Sequence, residues 1–197
     1  MQLYIVRHGQ TDWNKVRKLQ GLTDIQLNEN GRQVAIDLGD KLEQEGVTFD
    51  EIFSSPLIRA YETACLIRGR QNVPITRDER IREISFGEAE GMDYETWMSE
   101  DNPQRAFFTE PHKYIPPQDG ETIEEVQARG REFIQEIIEP LYGQAKRVMI
   151  VAHGAMNKGL MCYLENNDVE HFWGDGLQNN CEASIFEYDG QVWTKLK

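Results

Sequence analysis

Residues 3–9 read Leu3-Tyr4-Ile5-Val6-Arg7-His8-Gly9, and residues 147–154 repeat the design as Arg147-Val148-Met149-Ile150-Val151-Ala152-His153-Gly154. Each stretch is a short apolar run of β-forming residues that ends in a His-Gly pair. Continuous apolar runs of this length are typical of strands that are buried on both faces of a parallel sheet. We therefore expect two neighbouring parallel strands, with His8 and His153 at their carboxyl ends.

The rest of the chain alternates between strand and helix patterns. A third strand is expected at Glu51–Ser54, and a closing hairpin at 183–188 and 192–196, where Asp189-Gly190 forms the turn. Helices are expected from the Asn28 cap to Gly46, from Leu57 to Arg68 with Pro56 in the first turn, and from Glu121 to Tyr142. This alternation predicts an α/β layer fold.

Length and composition limit the classes of protein to consider. The 197 residues suit one domain, and 34 acidic against 21 basic residues give a net charge of −13. That charge argues against nucleic acid and anionic membranes as partners, and no apolar run is long enough to span a membrane. Three widely spaced cysteines and no apparent signal peptide lead us to expect a cytoplasmic protein. We expect one domain over 1–197, with a proline- and aromatic-rich, cap-like insertion around 92–120.

The expected strand ends place several anion-binding groups together. Ligands of open α/β sheets bind beyond the carboxyl ends of the strands, which is where His8 and His153 are expected. Arg7 lies beside His8, and Arg59 follows the third strand at the start of a helix. A guanidinium can fork onto phosphate oxygens, and the glycines after both histidines, including Gly154, let the backbone approach a ligand. The sequence thus predicts a site for a small phosphorylated metabolite.

The sequence lacks the motifs of other enzymes that bind or transfer phosphate. No cysteine is followed six residues later by arginine, no GxxxxGK[ST] loop is present, and HExxH, CxxC and Asp-x-Asp pairs are absent. Chemistry on histidine, with no metal and no cofactor, is therefore expected.

Several blocks together resemble the histidine phosphatase superfamily, the group that contains the phosphoglycerate mutases. They are Leu3-Tyr4-Ile5-Val6-Arg7-His8-Gly9-Gln10-Thr11-Asp12-Trp13-Asn14, the block 19–27, Ser54-Ser55-Pro56-Leu57-Ile58-Arg59-Ala60-Tyr61-Glu62-Thr63-Ala64, the block 82–91, Gly120-Glu121-Thr122 and Val151-Ala152-His153-Gly154. They occur in the family's order over nearly the whole chain. The resemblance implies a three-layer α/β/α sandwich with a mostly parallel central sheet, and a phosphohistidine enzyme.

The resemblance also implies roles for individual residues. His8 would be the nucleophile and Glu83 the general acid and base. Arg7, Arg59 and His153 would hold the phosphoryl oxygens, and the expected substrate-binding positions are Asn14, Gln20, Gly21 and Gly154. A salt bridge from Glu83 to Arg80 or Arg82 is the structural alternative for that carboxylate.

The sequence leaves three alternatives for the function of this site. The block Phe86-Gly87-Glu88-Ala89-Glu90-Gly91 is similar to that of the phosphatase branch, so a phosphomonoesterase is expected first. A cofactor-dependent phosphoglycerate mutase and a non-catalytic phospholigand sensor are the other two. A mutase needs extra basic residues over the site, and the insertion offers Arg105, His112 and Lys113. Four aromatic residues of the same region form either a lid or structural packing; they are Trp97, Phe107, Phe108 and Tyr114.

Overall fold

All six strands of the computed structural model, which describes residues 1–197, hydrogen-bond in one sheet. The strands are β1 (Gln2–Arg7), β2 (Glu51–Ser54), β3 (Ile75–Arg77), β4 (Arg147–Ala152), β5 (Ala183–Tyr188) and β6 (Trp193–Lys195). Their order is β3-β2-β4-β1-β5-β6. The first four strands of that order run parallel, and the hairpin of β5 and β6 adds two antiparallel strands at one edge. The prediction of neighbouring parallel strands ending in His8 and His153 is confirmed.

Helices cover both faces of the sheet. They are α1 (Asp12–Lys15), α2 (Glu29–Gln44), α3 (Ile58–Arg68), α4 (Tyr94–Trp97), α5 (Ala106–Thr109), α6 (Ile123–Phe133) and α7 (Gly154–Glu165). Leu3 and Ile5 of β1 face the larger apolar core, which includes residues of α6 and α7, whereas Tyr4 and Val6 face the smaller core with α2 and α3. This period of two places a hydrophobic layer on each side of the sheet and makes the three-layer α/β/α sandwich.

The prediction of one regular helix from Glu121 to Tyr142 is wrong. An α-helix spans Ile123–Phe133, a π-helical segment follows at Ile134–Ile138, and a 3-10 turn closes at Glu139–Leu141. Pro140 explains the change of winding, because proline has no N–H and its ring clashes with the carbonyl four residues earlier. Apolar residues continue at spacings of three, four and seven through all three segments. Sequence periodicity alone therefore does not show where the α-helix ends and the π-helical and 3-10 segments begin.

Smaller differences occur at other elements. Pro56 precedes the helix rather than occupying its first turn, since α3 begins at Ile58 and Leu57 is its N-cap. Strand β3 and helix α7 were not predicted. None of the helices is both long and apolar enough to cross a lipid bilayer.

Short helices in the segment 92–120 lie beside the carboxyl ends of the parallel strands. Trp97, Phe107 and Tyr114 of this segment are buried in the larger core, where Phe107 packs edge-on against Phe86 with ring centroids 5.2 Å apart. Trp173, which follows α7, donates from Nε1 to the carbonyl of Phe107 at 2.6 Å. Aromatic packing and this hydrogen bond therefore attach the segment to the sandwich.

Candidate active site

A cavity of about 390 Å³ opens where β1 and β4 end. Its lining includes eight of the nine residues that the sequence analysis named, which are Arg7, His8, Asn14, Gln20, Gly21, Arg59, Glu83 and Gly154. The ninth, His153, is fully buried behind them, and its ring centroid lies 5.2 Å from that of His8. The structure thus brings together residues that are up to about 150 positions apart in the sequence.

The side chain of His8 is held in one tautomer. Its Nδ1 lies 2.7 Å from the carbonyl oxygen of Gly9, and because a carbonyl can only accept, Nδ1 must carry the proton. In the neutral imidazole the lone pair is then on Nε2. The backbone carbonyl of His8 accepts from the amide of Asn180 at 2.9 Å, which fixes the residue from the other side. The arrangement presents an unprotonated ring nitrogen suited to nucleophilic attack.

Burial and positive neighbours keep both histidines neutral. The pKa of His8 is well below its usual value because the ring is buried, and the charges of Arg59 and Arg7 lower it further. The pKa of His153 is also well below its usual value, first through burial and then through Arg59. Nε2 of His153 lies 2.7 Å from the hydroxyl of Ser55, and its buried Nδ1 has no protein partner.

Two arginines, of which Arg59 is buried and Arg7 partly buried, supply the positive charge. Arg59 is fully buried and donates to the carbonyls of Thr23 and Gly21 at 2.9 and 2.7 Å, while Arg7 donates to the carbonyl of Gln178 at 2.5 Å. Burial lowers the pKa of Arg59 to about 10, so it stays charged at neutral pH. The Nε atom of each arginine is buried without a partner. Both groups therefore keep a donor that an anion could satisfy.

Glu83 is held by backbone amides rather than by a salt bridge. Its Oε1 accepts from the N–H groups of Met156 and Ile84 at 3.0 and 3.1 Å. Arg80 instead pairs with Asp78, so the salt-bridge alternative through that arginine is wrong. The other oxygen, Oε2, would lie 3.7 Å from a Cβ placed on Gly154, and that glycine lines the cavity. One oxygen is thus anchored, and the other has no hydrogen-bond partner in the protein.

Asn14 and Gln20 turn their amide oxygens toward the same residue. The oxygen of Asn14 accepts from the backbone N–H of Thr11 at 3.1 Å, and the oxygen of Gln20 accepts from the Thr11 hydroxyl at 3.0 Å. Neither NH₂ group has a protein partner, and both side chains line the cavity. The two amides therefore offer donors for a bound anion.

The two glycines that follow the histidines have different roles. A Cβ on Gly9 would lie 2.5 Å from the carbonyl of Gly31 in α2, and the Gly9 N–H donates to the Thr63 hydroxyl. Gly9 is thus required for packing, and the expectation that its N–H approaches a ligand is wrong. Gly154 fits that expectation better, because a Cβ there would fill space bordered by Leu177, Glu83 and Arg7.

Sequence reasoning missed two residues that position the site. Arg129 of α6 forks onto Glu121 at 2.7 and 2.9 Å and also donates to the carbonyls of Arg82 and Glu83. Glu90 accepts from the backbone N–H groups of Leu22 and Thr23. Glu90 belongs to a quoted motif block, which was the available signal. Arg129 lies outside every block, and its role depends on contacts to residues nearly 50 positions away.

The aromatic and basic residues named in the segment 92–120 divide into those that line the cavity and those that do not. Phe107 and Phe108 line the cavity, whereas Trp97 and Tyr114 are buried away from it in the aromatic packing. The three basic residues that were considered for a second anion, Arg105, His112 and Lys113, are exposed and do not line the cavity. Lys113 instead pairs with Glu110. That part of the mutase expectation is therefore wrong.

Comparison with known proteins identifies the family. Residues 3–197 match the model of the histidine phosphatase superfamily (branch 1). The chain is 35% identical to phosphoserine phosphatase 1 of Hydrogenobacter thermophilus, over 91% of this chain and 83% of that protein. It is 30% identical to a 2,3-bisphosphoglycerate-dependent phosphoglycerate mutase of Bradyrhizobium, over 83% and 80% of the two chains.

The fold comparison agrees. YhfR of Bacillus stearothermophilus superposes with a TM-score of 0.89 at 37% identity, covering 99% of this chain and 95% of that one. Because the family model spans nearly the whole chain and the fold is shared, the chain belongs to the histidine phosphatase superfamily and is a phosphatase of that family.

Proposed function

We propose that this chain hydrolyses small organic phosphomonoesters in two steps, with the phosphoryl group carried on Nε2 of His8. In the first step Nε2 attacks phosphorus, the bond to the ester oxygen breaks, and Glu83 protonates the departing alkoxide. In the second step Glu83 takes a proton from water, and that water attacks phosphorus and breaks the P–N bond. Inorganic phosphate leaves, and both side chains return to their starting state.

The observation that carries the proposal is the tautomer of His8 beside Arg7 and Arg59. Because Nδ1–H is bound to the Gly9 carbonyl, the Nε2 lone pair is available without prior loss of a proton. Arg7 and Arg59 disfavour the imidazolium that would abolish this lone pair. The same two charges would stabilise the equatorial oxygens in the transition state.

The remaining residues complete the cradle for the phosphoryl group. The free NH₂ groups of Asn14 and Gln20 and the backbone at Gly21 would donate to oxygens on one side. On the other, His153 lies at the N-cap of α7, whose first residue is Gly154. The backbone N–H groups at the start of that twelve-residue helix add a partial positive charge.

The proposal extends to the domain, the cofactor requirement, the substrates and the location of the protein. The chain 1–197 would act as one catalytic domain with 92–120 as its cap, and the reaction would need neither metal nor cofactor. Small phosphorylated metabolites would be the substrates, as the name of the phosphoserine phosphatase relative suggests. The cytoplasm is the proposed location, since Cys65, Cys162 and Cys181 are all free thiols.

Phosphate release in EDTA tests the proposal. The substrates are p-nitrophenyl phosphate and a panel of alkyl phosphates, with 3-phosphoglycerate plus 2,3-bisphosphoglycerate assayed for isomerisation. We expect wild type to release phosphate and His8→Ala to lose at least about 1,000-fold in kcat, because the nucleophile is gone. His171→Ala, an exposed histidine outside the cavity, is the matched control and should keep its activity.

A second variant tests the acid. Glu83→Gln should lower kcat/KM, which reports the first step, by about 100- to 10,000-fold for alkyl phosphates and much less for p-nitrophenyl phosphate, since nitrophenolate needs little protonation. Activity in folded His8→Ala would refute the nucleophile assignment. Bisphosphate-dependent isomerisation with no net release of phosphate would identify a mutase instead.

A further inference from the structure

The outer part of the cavity carries two basic side chains that the proposed reaction does not use. Arg17 and Lys18 line the same cavity as His8, together with the aromatic side chains of Tyr94, Phe108 and Trp173. The proposed phosphoryl site already has its own charges in Arg7 and Arg59. The cavity therefore holds more positive charge than one phosphoryl group requires.

The backbone that carries these two side chains is fixed. The carbonyl of Arg17 accepts from the N–H of Tyr94 at 2.8 Å, and Lys18 forms an antiparallel bridge with Asp93. The N–H of the next residue, Leu19, donates to the carbonyl of Met92 at 3.0 Å. Pairing on consecutive residues holds the segment against the beginning of the cap. The two basic side chains thus start from defined positions at the cavity wall.

Lys18 has no carboxylate partner. None of the salt bridges of the chain includes it, although acidic residues outnumber basic ones by 34 to 21. The side chain is half-buried, and its ammonium lies 6.0 Å from the ring centre of Trp13. A partly desolvated ammonium without a counter-charge is well prepared to bind an anion.

Arg17 is held over an aromatic ring at the same rim. Its guanidinium lies 4.3 Å from the ring centre of Tyr94, and its contact with Glu95 is long, at 3.4 Å, between exposed side chains. An exposed ion pair of this kind contributes little free energy and is easily exchanged for another anion. The φ angle of Arg17 is +56°, a left-handed conformation that is unfavourable for residues other than glycine. An arginine at such a position fits a role for the side chain itself.

We propose that Lys18, assisted by Arg17, binds a second anionic group at the end of the substrate remote from the reacting phosphoryl group. The substrate class is then a small phosphomonoester that carries a carboxylate or a second phosphate on its leaving group. This inference rests on the proposed function, since it assigns the phosphoryl group to the inner part of the same cavity. Lys18 and Arg17 determine specificity and take no part in the chemical steps.

Matched ligands test the inference by competition against hydrolysis of p-nitrophenyl phosphate. 3-Phosphoglycerate and glycerol 3-phosphate differ only by a carboxylate in place of a hydroxymethyl group. 1,3-Propanediol bisphosphate supplies a second phosphate instead. We expect wild type to bind at least one of the two doubly anionic ligands about 10- to 100-fold more tightly than glycerol 3-phosphate, as judged by their inhibition constants. The stronger of the two identifies the anion as carboxylate or phosphate.

Substitution of Lys18 and Arg17 shows whether these side chains cause the preference for doubly anionic ligands. Lys18→Gln should remove most of this preference while leaving the inhibition constant of glycerol 3-phosphate and the kcat for p-nitrophenyl phosphate within about twofold. Lys18→Arg should restore most of it, and Arg17→Gln should have a smaller effect. Lys15→Gln is the matched control, because it removes the same charge from an exposed residue outside the cavity.

The possible failures are distinguishable. Equal inhibition by all three ligands in wild type, or a preference that survives in the Lys18→Gln and Arg17→Gln double variant, would overturn the second anion site and leave the phosphatase intact. A similar loss in Lys15→Gln would attribute the effect to long-range charge and would also overturn it. Absence of p-nitrophenyl phosphate hydrolysis in wild type would overturn the proposed function itself.

Discussion

At the scale of single residues, the environment of His8 and His153 determines what these side chains can do. The sequence identified both residues and the arginines beside them, because each belongs to a recognisable block. It did not reveal that Nδ1 of His8 binds the Gly9 carbonyl or that Nε2 of His153 contacts Ser55. These contacts depend on how the strand ends turn, which is a matter of three-dimensional packing. The ring orientation, and hence the reactive nitrogen, therefore required the structure.

The neutral state of these histidines predicts a pH dependence of stability. In the unfolded chain both imidazoles take up protons as the pH falls below about 6.5, whereas in the folded chain their pKa values lie well below this. Lower pH thus favours the unfolded state. We expect the free energy of unfolding to decrease from pH 6.5 to 5.5, by up to about 1.4 kcal/mol per pH unit for each histidine.

Urea unfolding at several pH values measures this slope, and histidine NMR assigns it. The ring signals of His8 and His153 should show no protonation near pH 6.5. His171 is the internal control, because its hydrogen bond with Asp168 raises its pKa, so it should titrate above 6.5. Titration of His8 near its ordinary value would contradict the electrostatic account of the site.

At the scale of elements, the strands and helices that were predicted are those with a clear apolar pattern in the sequence. Strands β1 and β4 and helix α2 were predicted because their apolar runs or spacings match one period. Strand β3 has three residues, two of them exposed, so it lacks an alternating signal. Helix α7 is buried on nearly all sides and therefore shows no amphipathic period. It is nevertheless the element that brings the Met156 N–H to Glu83.

Close packing of α6 against α7 gives a prediction at this scale. A Cβ on Gly159 would lie 2.9 Å from Cγ1 of Val126 and 3.2 Å from its backbone oxygen. Gly159→Ala should therefore lower the free energy of unfolding by about 1–3 kcal/mol, although alanine is the better helix former. It should also lower kcat, since displacement of α7 moves the anchor of Glu83.

Chemical denaturation and steady-state kinetics measure the two effects. Arg131→Ala on the exposed face of α6 is the control and should change stability by no more than about 0.5 kcal/mol. A Gly159→Ala protein as stable as wild type would show that the two helices can separate without cost.

At the scale of the whole molecule, a net charge of −13 surrounds a cavity with several positive side chains. The family, the three layers and the residues that meet in the cavity were predicted from the sequence. Arg17 and Lys18 were not predicted, because their place at the cavity wall depends on backbone pairing of their segment with residues 92–94. The proposed recognition of the leaving group thus depends on a contact between two segments, and neither segment alone predicts it.

The most direct test of the account is to trap the phosphoenzyme. Glu83→Gln should form it from p-nitrophenyl phosphate, whose leaving group needs no acid, and then hydrolyse it slowly for lack of a base. After a rapid alkaline quench, which preserves phosphohistidine, peptide mass spectrometry should locate one phosphoryl group on His8. It should be absent from Glu83→Gln that also carries His8→Ala. Phosphorylation of another residue, or turnover of p-nitrophenyl phosphate with no phosphoenzyme formed, would contradict the central claim that His8 carries the phosphoryl group.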